Sequence, residues 1–299
     1  MTETAAEVGN CGPRVTPELI SGGYEVQTML ARVIASTFHT LRRIGSLRAG
    51  VRYARRLPVV RSLTASMLNG VLSVRGERVW RQTPVGWLKF ETVWENSYAE
   101  GEPEPETMPV LRSLLHSQTV FYDIGAHIGF YALVAASITK QVFAFEPDPD
   151  NAAIVHEVVA RNALRNVAIA ECAVCDTDGE LSFERSPGLR MSGHIAGVGC
   201  DSSDTGERIT VPAVTLDTFC RTHPRPDVIK IDTEGAEGAV LRGALEVLRA
   251  CHPSLLIEVH REDFLAEVES VLRPLGYRLT RLHRPDLPPF PSHYLACID

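Results

Sequence analysis

Hydrophobic and polar positions change their period along the chain, and each change predicts a different element. Leu30, Ile34, Phe38 and Leu41 recur at the spacing of one helical face until Gly45 and Ser46 interrupt them. A second helical pattern sets Leu47, Val51 and Ala54 on one side and Arg48, Arg52, Arg55 and Arg56 on another, and it stops at Pro58. From Val71 the period becomes two: VLSVRGERVW, a turn near Thr83-Pro84-Val85-Gly86, then WLKFET, which predicts a β-hairpin. The acidic, proline-punctuated GEPEPET leads into a short helix over 108–115.

From Thr119 strands and helices alternate. Strands are expected over 119–123, 141–146, 167–172, 227–232 and 254–258, with helices over 129–138, 150–162 and 236–250. Such alternation implies an α/β fold, a mostly parallel sheet with helices on both faces. Segments 277–282 and 294–298 complete the sheet, the last antiparallel at an edge. Between the strands at 167–172 and 227–232, residues 186–207 hold five glycines and no clear period, so they read as a loop, and their place between strands suggests a substrate lid. Asp176-Thr-Asp178-Gly179 reads as a hairpin turn and Thr215-Leu-Asp217 as a helix cap.

The 299 residues are 44% hydrophobic and 22% charged, which is globular and excludes disordered or fibrous classes. No run of about 18 apolar residues appears, and the polar opening lacks the order of a signal peptide, so a cytoplasmic protein is expected. The net charge of -7 is uneven. Residues 1 to 70 carry nine arginines against four glutamates, a balance of +5, which leaves -12 for the remainder. The main body is thus too acidic for a nucleic-acid backbone, and the chain divides into a helical segment, 1–70, serving as cap or partner contact, and a domain, 71–299, with its core from about 119. A basic amphipathic helix can meet an anionic surface, but a solvated face of a packed helix is the simpler reading. Seven scattered cysteines argue against a disulfide framework, and Cys172-x-x-Cys175 lacks a second pair at zinc spacing.

The chemistry begins at Asp123-Ile-Gly-Ala-His-Ile-Gly129, a glycine turn between a strand and a helix. Gly125 allows a tight turn with bare backbone against a ligand, and Gly129 relieves crowding where helix meets strand. Glu146, 21 residues after Gly125, ends the next strand, where a carboxylate accepts bonds from two ribose hydroxyls. A dinucleotide and S-adenosylmethionine both fit that geometry. The G-x-G-x-x-G fingerprint is not met, and Asp123 would repel a pyrophosphate but attract an ammonium, which favours S-adenosylmethionine.

DIGAHIGFY, VFAFEPDPDN and VIKIDTEGAE, in that order and spacing, resemble the FkbM family of S-adenosylmethionine-dependent methyltransferases. The resemblance spans about residues 95 to 299, and GEPEPET is similar to the family's Gly-x-Tyr-Glu-Pro lead-in, with Pro103 in place of tyrosine. It implies a class I methyltransferase (Rossmann-like) fold and O-methylation of a hydroxyl on a small molecule: a polyketide, antibiotic or sugar moiety of secondary metabolism. Carried over by position, Asp123, Gly125, His127 and Gly129 form the methionine end of the cofactor site, Glu146 clamps ribose, Ala173 lies against adenine and Glu104 closes the pocket. His127 stands where the family usually has asparagine.

Deprotonation of the acceptor calls for a base or a metal at the strand ends. Asp232, Glu234, Glu258 and His260 meet that condition. Either His260 or Asp232 takes the hydroxyl proton while Glu234 positions the acceptor, or Asp232 and Glu258 hold a Mg²⁺ that lowers the hydroxyl's pKa. Lys230 shares a strand face with Asp232, as its partner or as a surface lysine. His116, His156, His223, His252 and His283 read as surface or loop residues, and His194 as part of the flexible loop. Two other readings are a catalytically silent protein of the same fold, which would need none of these acids, and a methyltransferase for a glycan, lipid-linked sugar or amine.

Overall fold

The computed structural model describes residues 79–90, 104–185, 193–196, 207–282 and 290–298. The helices expected over 1–70, the first half of the hairpin and most of the 186–207 loop lie outside the described residues.

The hairpin is present as β1 (Val79–Thr83) and β2 (Gly86–Phe90), paired antiparallel with Thr83 opposite Gly86. Asn162, at the end of a later helix, fixes it by bonding both backbone groups of Trp87, at 2.8 and 2.7 Å. After α1 (Met108–Leu114) the alternation runs β3 (Val120–Ile124), α2 (Phe130–Ala136), β4 (Gln141–Phe145), α3 (Pro149–Arg161) and β5 (Val167–Ala170). It resumes with β10 (Val228–Ile231), α5 (Glu237–Arg242), α6 (Leu245–Cys251), β11 (Ser254–Val259) and α7 (Glu262–Leu272), then β12 (Arg278–Arg281) and β13 (Ser292–Cys297).

These strands form one seven-stranded sheet in the order β12-β13-β11-β10-β3-β4-β5. The five strands from β11 to β5 are parallel, and β13 is antiparallel to both neighbours. The expected edge strand is therefore an inner one: β13 inserts between β11 and β12, and β12 forms the edge. Alternation along β3 divides the core. Phe121 points into a cluster with Leu111, Leu133 and Val155 of α1, α2 and α3, whereas Tyr122 and Ile124 point into one with Val240, Leu248 and Val268 of α5, α6 and α7. This is the α/β, Rossmann-like architecture expected, with helices on both faces.

Two further expectations are corrected. The single helix over 236–250 is two, broken at Gly243, where a Cβ would lie 1.9 Å from the Cys175 carbonyl oxygen. The Gly243 carbonyl bonds Asp217 N instead of continuing a helix, and the Asp217 carboxylate accepts from Glu246 and Val247 at the start of α6. Thr215 does cap the short α4 (Leu216–Phe219). The second correction is a four-stranded sheet in the order β6-β9-β7-β8, built from β6 (Ala173–Val174), β7 (Gly179–Arg185), β8 (Gly193–Ile195) and β9 (Glu207–Val214). The middle of the expected lid is thus a strand, and His194 is buried in it. Asp176 to Gly179 is a turn between β6 and β7, with Asp178 bonded to Thr215 and Thr218. Among the described residues no helix is long and apolar enough to cross a membrane.

Candidate functional site

The sheet reverses its order between β3 and β10, and open parallel sheets bind ligands beyond the strand ends at such a point. A cavity of about 260 Å³ lies there. Its floor is the β3–α2 turn, where Gly125 has φ +82° and a Cβ would stand 1.8 Å from the Asp232 carbonyl oxygen. The glycine is required by this contact with Asp232, just past β10, as much as by any ligand. His127 is left-handed too, at φ +52°, a conformation that His and Asn side chains tolerate better than most.

Of the residues expected to bind a cofactor, Glu104, Gly125, His127, Glu146 and Ala173 line the cavity. Asp123 and Gly129 do not. Asp123 is fully buried beside Lys230, its register partner on β10, and neither carboxylate oxygen has a hydrogen-bond partner among the described residues. Burial pushes its carboxyl up to about 6 against the pull of Lys230. Gly129 caps α2 at φ +80°, where a Cβ would meet Val155 of α3 at 3.3 Å, so the crowding it relieves is between helices, not between helix and strand.

Glu146 directly follows β4, with one oxygen accepting from His127 N at 2.8 Å and the other from Asp148 N at 3.0 Å. Burial pushes its carboxyl up to about 8 despite those bonds. His127 is pushed down to about 4 by the same cause and is neutral at physiological pH. Phe145, Ala173, Phe183 and Ile195 give this end of the cavity an apolar wall.

At the other end the three expected catalytic residues come together. Lys230 Nζ donates to Asp232 Oδ2 at 2.9 Å and lies 4.3 Å from the centre of the Tyr131 ring, so it is the buried partner, not a surface lysine. Burial opposes ionisation of Asp232, yet Lys230 and His260 hold its carboxyl well below the usual range. His260 Nε2 stands 3.2 Å from Glu234 Oε2 and 3.8 Å from Asp232 Oδ1. Its Nδ1 is 3.1 Å from Glu237 Oε1. Burial disfavours the imidazolium, but these carboxylates together push it up to about 10. Glu234, left-handed at φ +53°, is pushed up to about 7, chiefly by burial.

Asp232 and Glu258, the pair considered for Mg²⁺, fall in two separate clusters, each of a composition that could hold a metal ion. Asp232 groups with Glu234 and His260, while Glu258 groups with Glu104 and His293. Lys230 already occupies one oxygen of Asp232, and His293 Nε2 stands 3.0 Å from Glu104 Oε2 and 3.4 Å from Glu258 Oε2. Tyr131 OH also donates to Glu104. Sequence reasoning missed His293 and Glu237. Glu237 was visible as the last letter of KIDTEGAE, but His293 meets Glu258 only through the register of β13 on β11. His116, His156, His223 and His252 are exposed, as expected. Cys172 and Cys175 are free thiols flanking β6.

The family model described as the methyltransferase FkbM domain matches residues 123–279. Hexuronic acid methyltransferase AglP of Haloferax volcanii is 29% identical over 201 residues, covering 65% of this chain and 78% of that protein. Among solved structures, methyltransferase FkbM from Methylobacillus flagellatus KT aligns with TM-score 0.46 and 20% identity over 81% of this chain, which spans 60% of that one. SMU.1697c from Streptococcus mutans, in complex with SAH, aligns with TM-score 0.42 and 11% identity, covering 66% and 96% of the two chains.

Proposed function

Because the chain belongs to the FkbM methyltransferase family, we propose that this methyltransferase is an S-adenosylmethionine-dependent O-methyltransferase whose acceptor is a hydroxyl of a sugar or sugar-bearing small molecule. One observation carries the reading: a single cavity holds Glu146 at the end of β4 and, beyond β10 and β11, the Glu234–His260 pair at 3.2 Å.

The residues present fit the cofactor by their chemistry. Glu146 offers carboxylate oxygens to ribose hydroxyls, and the wall of Phe145, Ala173, Phe183 and Ile195 suits a planar base. Glu104 and Asp232 surround a cation with negative charge, and neutral His127 adds no repulsion. When bound, the cofactor supplies an electrophilic methyl group.

The chain supplies position and a place for the acceptor's proton. A general base works best when its pKa lies near the working pH, and Glu234 meets that condition at about 7. Asp232, held ionised by Lys230, is too weak a base and serves to orient the hydroxyl. His260 keeps its own proton and supports the Glu234 carboxylate from beside it in the cavity wall. The expected roles are thereby exchanged: Glu234 accepts the proton and His260 positions it. The sugar class is suggested by the hexuronic acid relative of Haloferax volcanii, in preference to a polyketide.

The test is incubation of the full chain with S-adenosylmethionine bearing an isotope-labelled methyl group and a panel of sugars, glycosides and polyketide alcohols. Mass spectrometry of the products should find the label on a sugar oxygen. No binding heat with the cofactor would remove the cofactor assignment, and labelling only of non-sugar acceptors would remove the substrate class.

A further inference from the structure

We propose that Glu237 is a positioning residue, holding the His260 imidazole by Nδ1 so that Nε2 addresses Glu234. The role rests on the acceptor-deprotonation reading above.

Glu237 opens α5 with no exposure at all. Its Oε1 accepts from Gly235 N at 2.9 Å and stands 3.1 Å from His260 Nδ1, whereas Oε2 has no hydrogen-bond partner among the described residues. A carboxylate buried in this way is strongly disfavoured unless a cation lies against it. Packing alone would be better served there by an apolar side chain. The group placed to compensate it is the His260 ring, whose Nδ1 stands 3.1 Å from Oε1.

The other charges around His260 lie elsewhere. Glu234 and Asp232 face Nε2, and Glu258, from β11, acts on the ring through its charge. Glu237 is thus the carboxylate at Nδ1 among the described residues. A ring bonded at Nδ1 cannot turn over, and the proton fixed there leaves Nε2–H to donate toward Glu234. Glu234 and Glu237 belong to one turn, three residues apart, so the ring is clamped between two carboxylates carried by the same segment. Glu237 itself does not line the cavity and so does not touch acceptor or cofactor.

Removing the Glu237 charge should let His260 lose its proton at lower pH. Glu234, deprived of its imidazolium neighbour, should then ionise less readily. The experiment is nitrogen-15 NMR of the His260 ring in the full chain, assigned with His260→Gln, combined with steady-state kinetics. In Glu237→Gln the ring's titration midpoint should fall by about three pH units, to near the assay pH, and kcat near pH 7 should fall roughly 10- to 100-fold, at or below the lower end of general acid–base effects. KM for cofactor and acceptor should stay within about twofold, because the residue contributes no ground-state binding. Glu237→Asp, which keeps the charge, should restore most of the midpoint, and it provides the measurement if the Gln variant does not fold. An unchanged midpoint in the Gln variant, or a wild-type ring that is neutral at pH 7, would overturn the role. The expected NMR shift without methylation of any sugar would support the hold of Glu237 on His260 and overturn the acceptor reading instead.

Discussion

Lys230 donates to Asp232 across 2.9 Å, with the lysine side chain only 3% exposed. It is the one buried lysine among the described residues, and Asp123, Glu104 and Glu258 add to its stabilisation. These acids share its charge, so the pair organises the acidic wall of the cavity as well as its own strand.

Replacing that lysine should therefore destabilise the fold. Lys230→Met is expected to cost about 3–5 kcal/mol, the usual effect of leaving a buried charge without its partner. Urea unfolding at pH 7 measures it, and the Lys230→Met/Asp232→Asn double variant should recover part of the loss. The sign with pH follows from Asp232, whose carboxyl is depressed in the folded state. Its stabilisation is complete above the unfolded value of about 4 and is lost as the pH falls further, so the difference between wild type and variant should shrink in acid.

Glu234 should set the acid limb of the pH–rate profile. With its carboxyl pushed up to about 7, kcat/KM should decline as the pH drops below that value, because the protonated form cannot take the hydroxyl proton. An alkaline limb near 10 should accompany loss of the His260 proton. Glu234→Gln should abolish the acid limb and lower kcat by roughly 100- to 10,000-fold. A profile flat from pH 5 to 9 in the wild type would contradict the assignment.

Cofactor affinity should depend on Glu146. Its carboxyl is pushed up to about 8, and ribose hydroxyls bond better to a carboxylate than to a neutral acid. Affinity for S-adenosylmethionine should therefore rise as the pH increases through about 8, with a proton released on binding at lower pH. Calorimetry in buffers of different ionisation enthalpy detects that proton. Glu146→Gln should weaken binding about tenfold and suppress the release.

Gly125→Ala should prevent correct closure of the β3–α2 turn. A Cβ there would lie 1.8 Å from the Asp232 carbonyl oxygen at φ +82°, so β10 must shift or the turn must open. A loss of more than about 2 kcal/mol is expected, since strain and a backbone clash combine. Thermal unfolding with and without cofactor tests it, and a variant that melts and binds like wild type would contradict the close approach.

The order of elements, the glycine turn at Asp123 to Gly129, and the acids Glu146, Asp232 and Glu234 were legible in the linear pattern, because strands and helices imprint periods of 2 and 3.6 and turns demand glycine. The break at Gly243 was not, since it depends on the approach of Cys175. Nor was the inward place of β13, which no local period encodes, and with it the meeting of Glu258 and His293. Asp123 illustrates the boundary: its type and position in the motif were plain, but it is buried beside Lys230, its register partner on β10, and does not line the cavity. The sequence by itself determined which acids stand at strand ends. Only the tertiary structure decided their protonation, because burial and neighbouring charge, which set Glu234 near 7 and lock Asp232 ionised, arise when distant segments pack together.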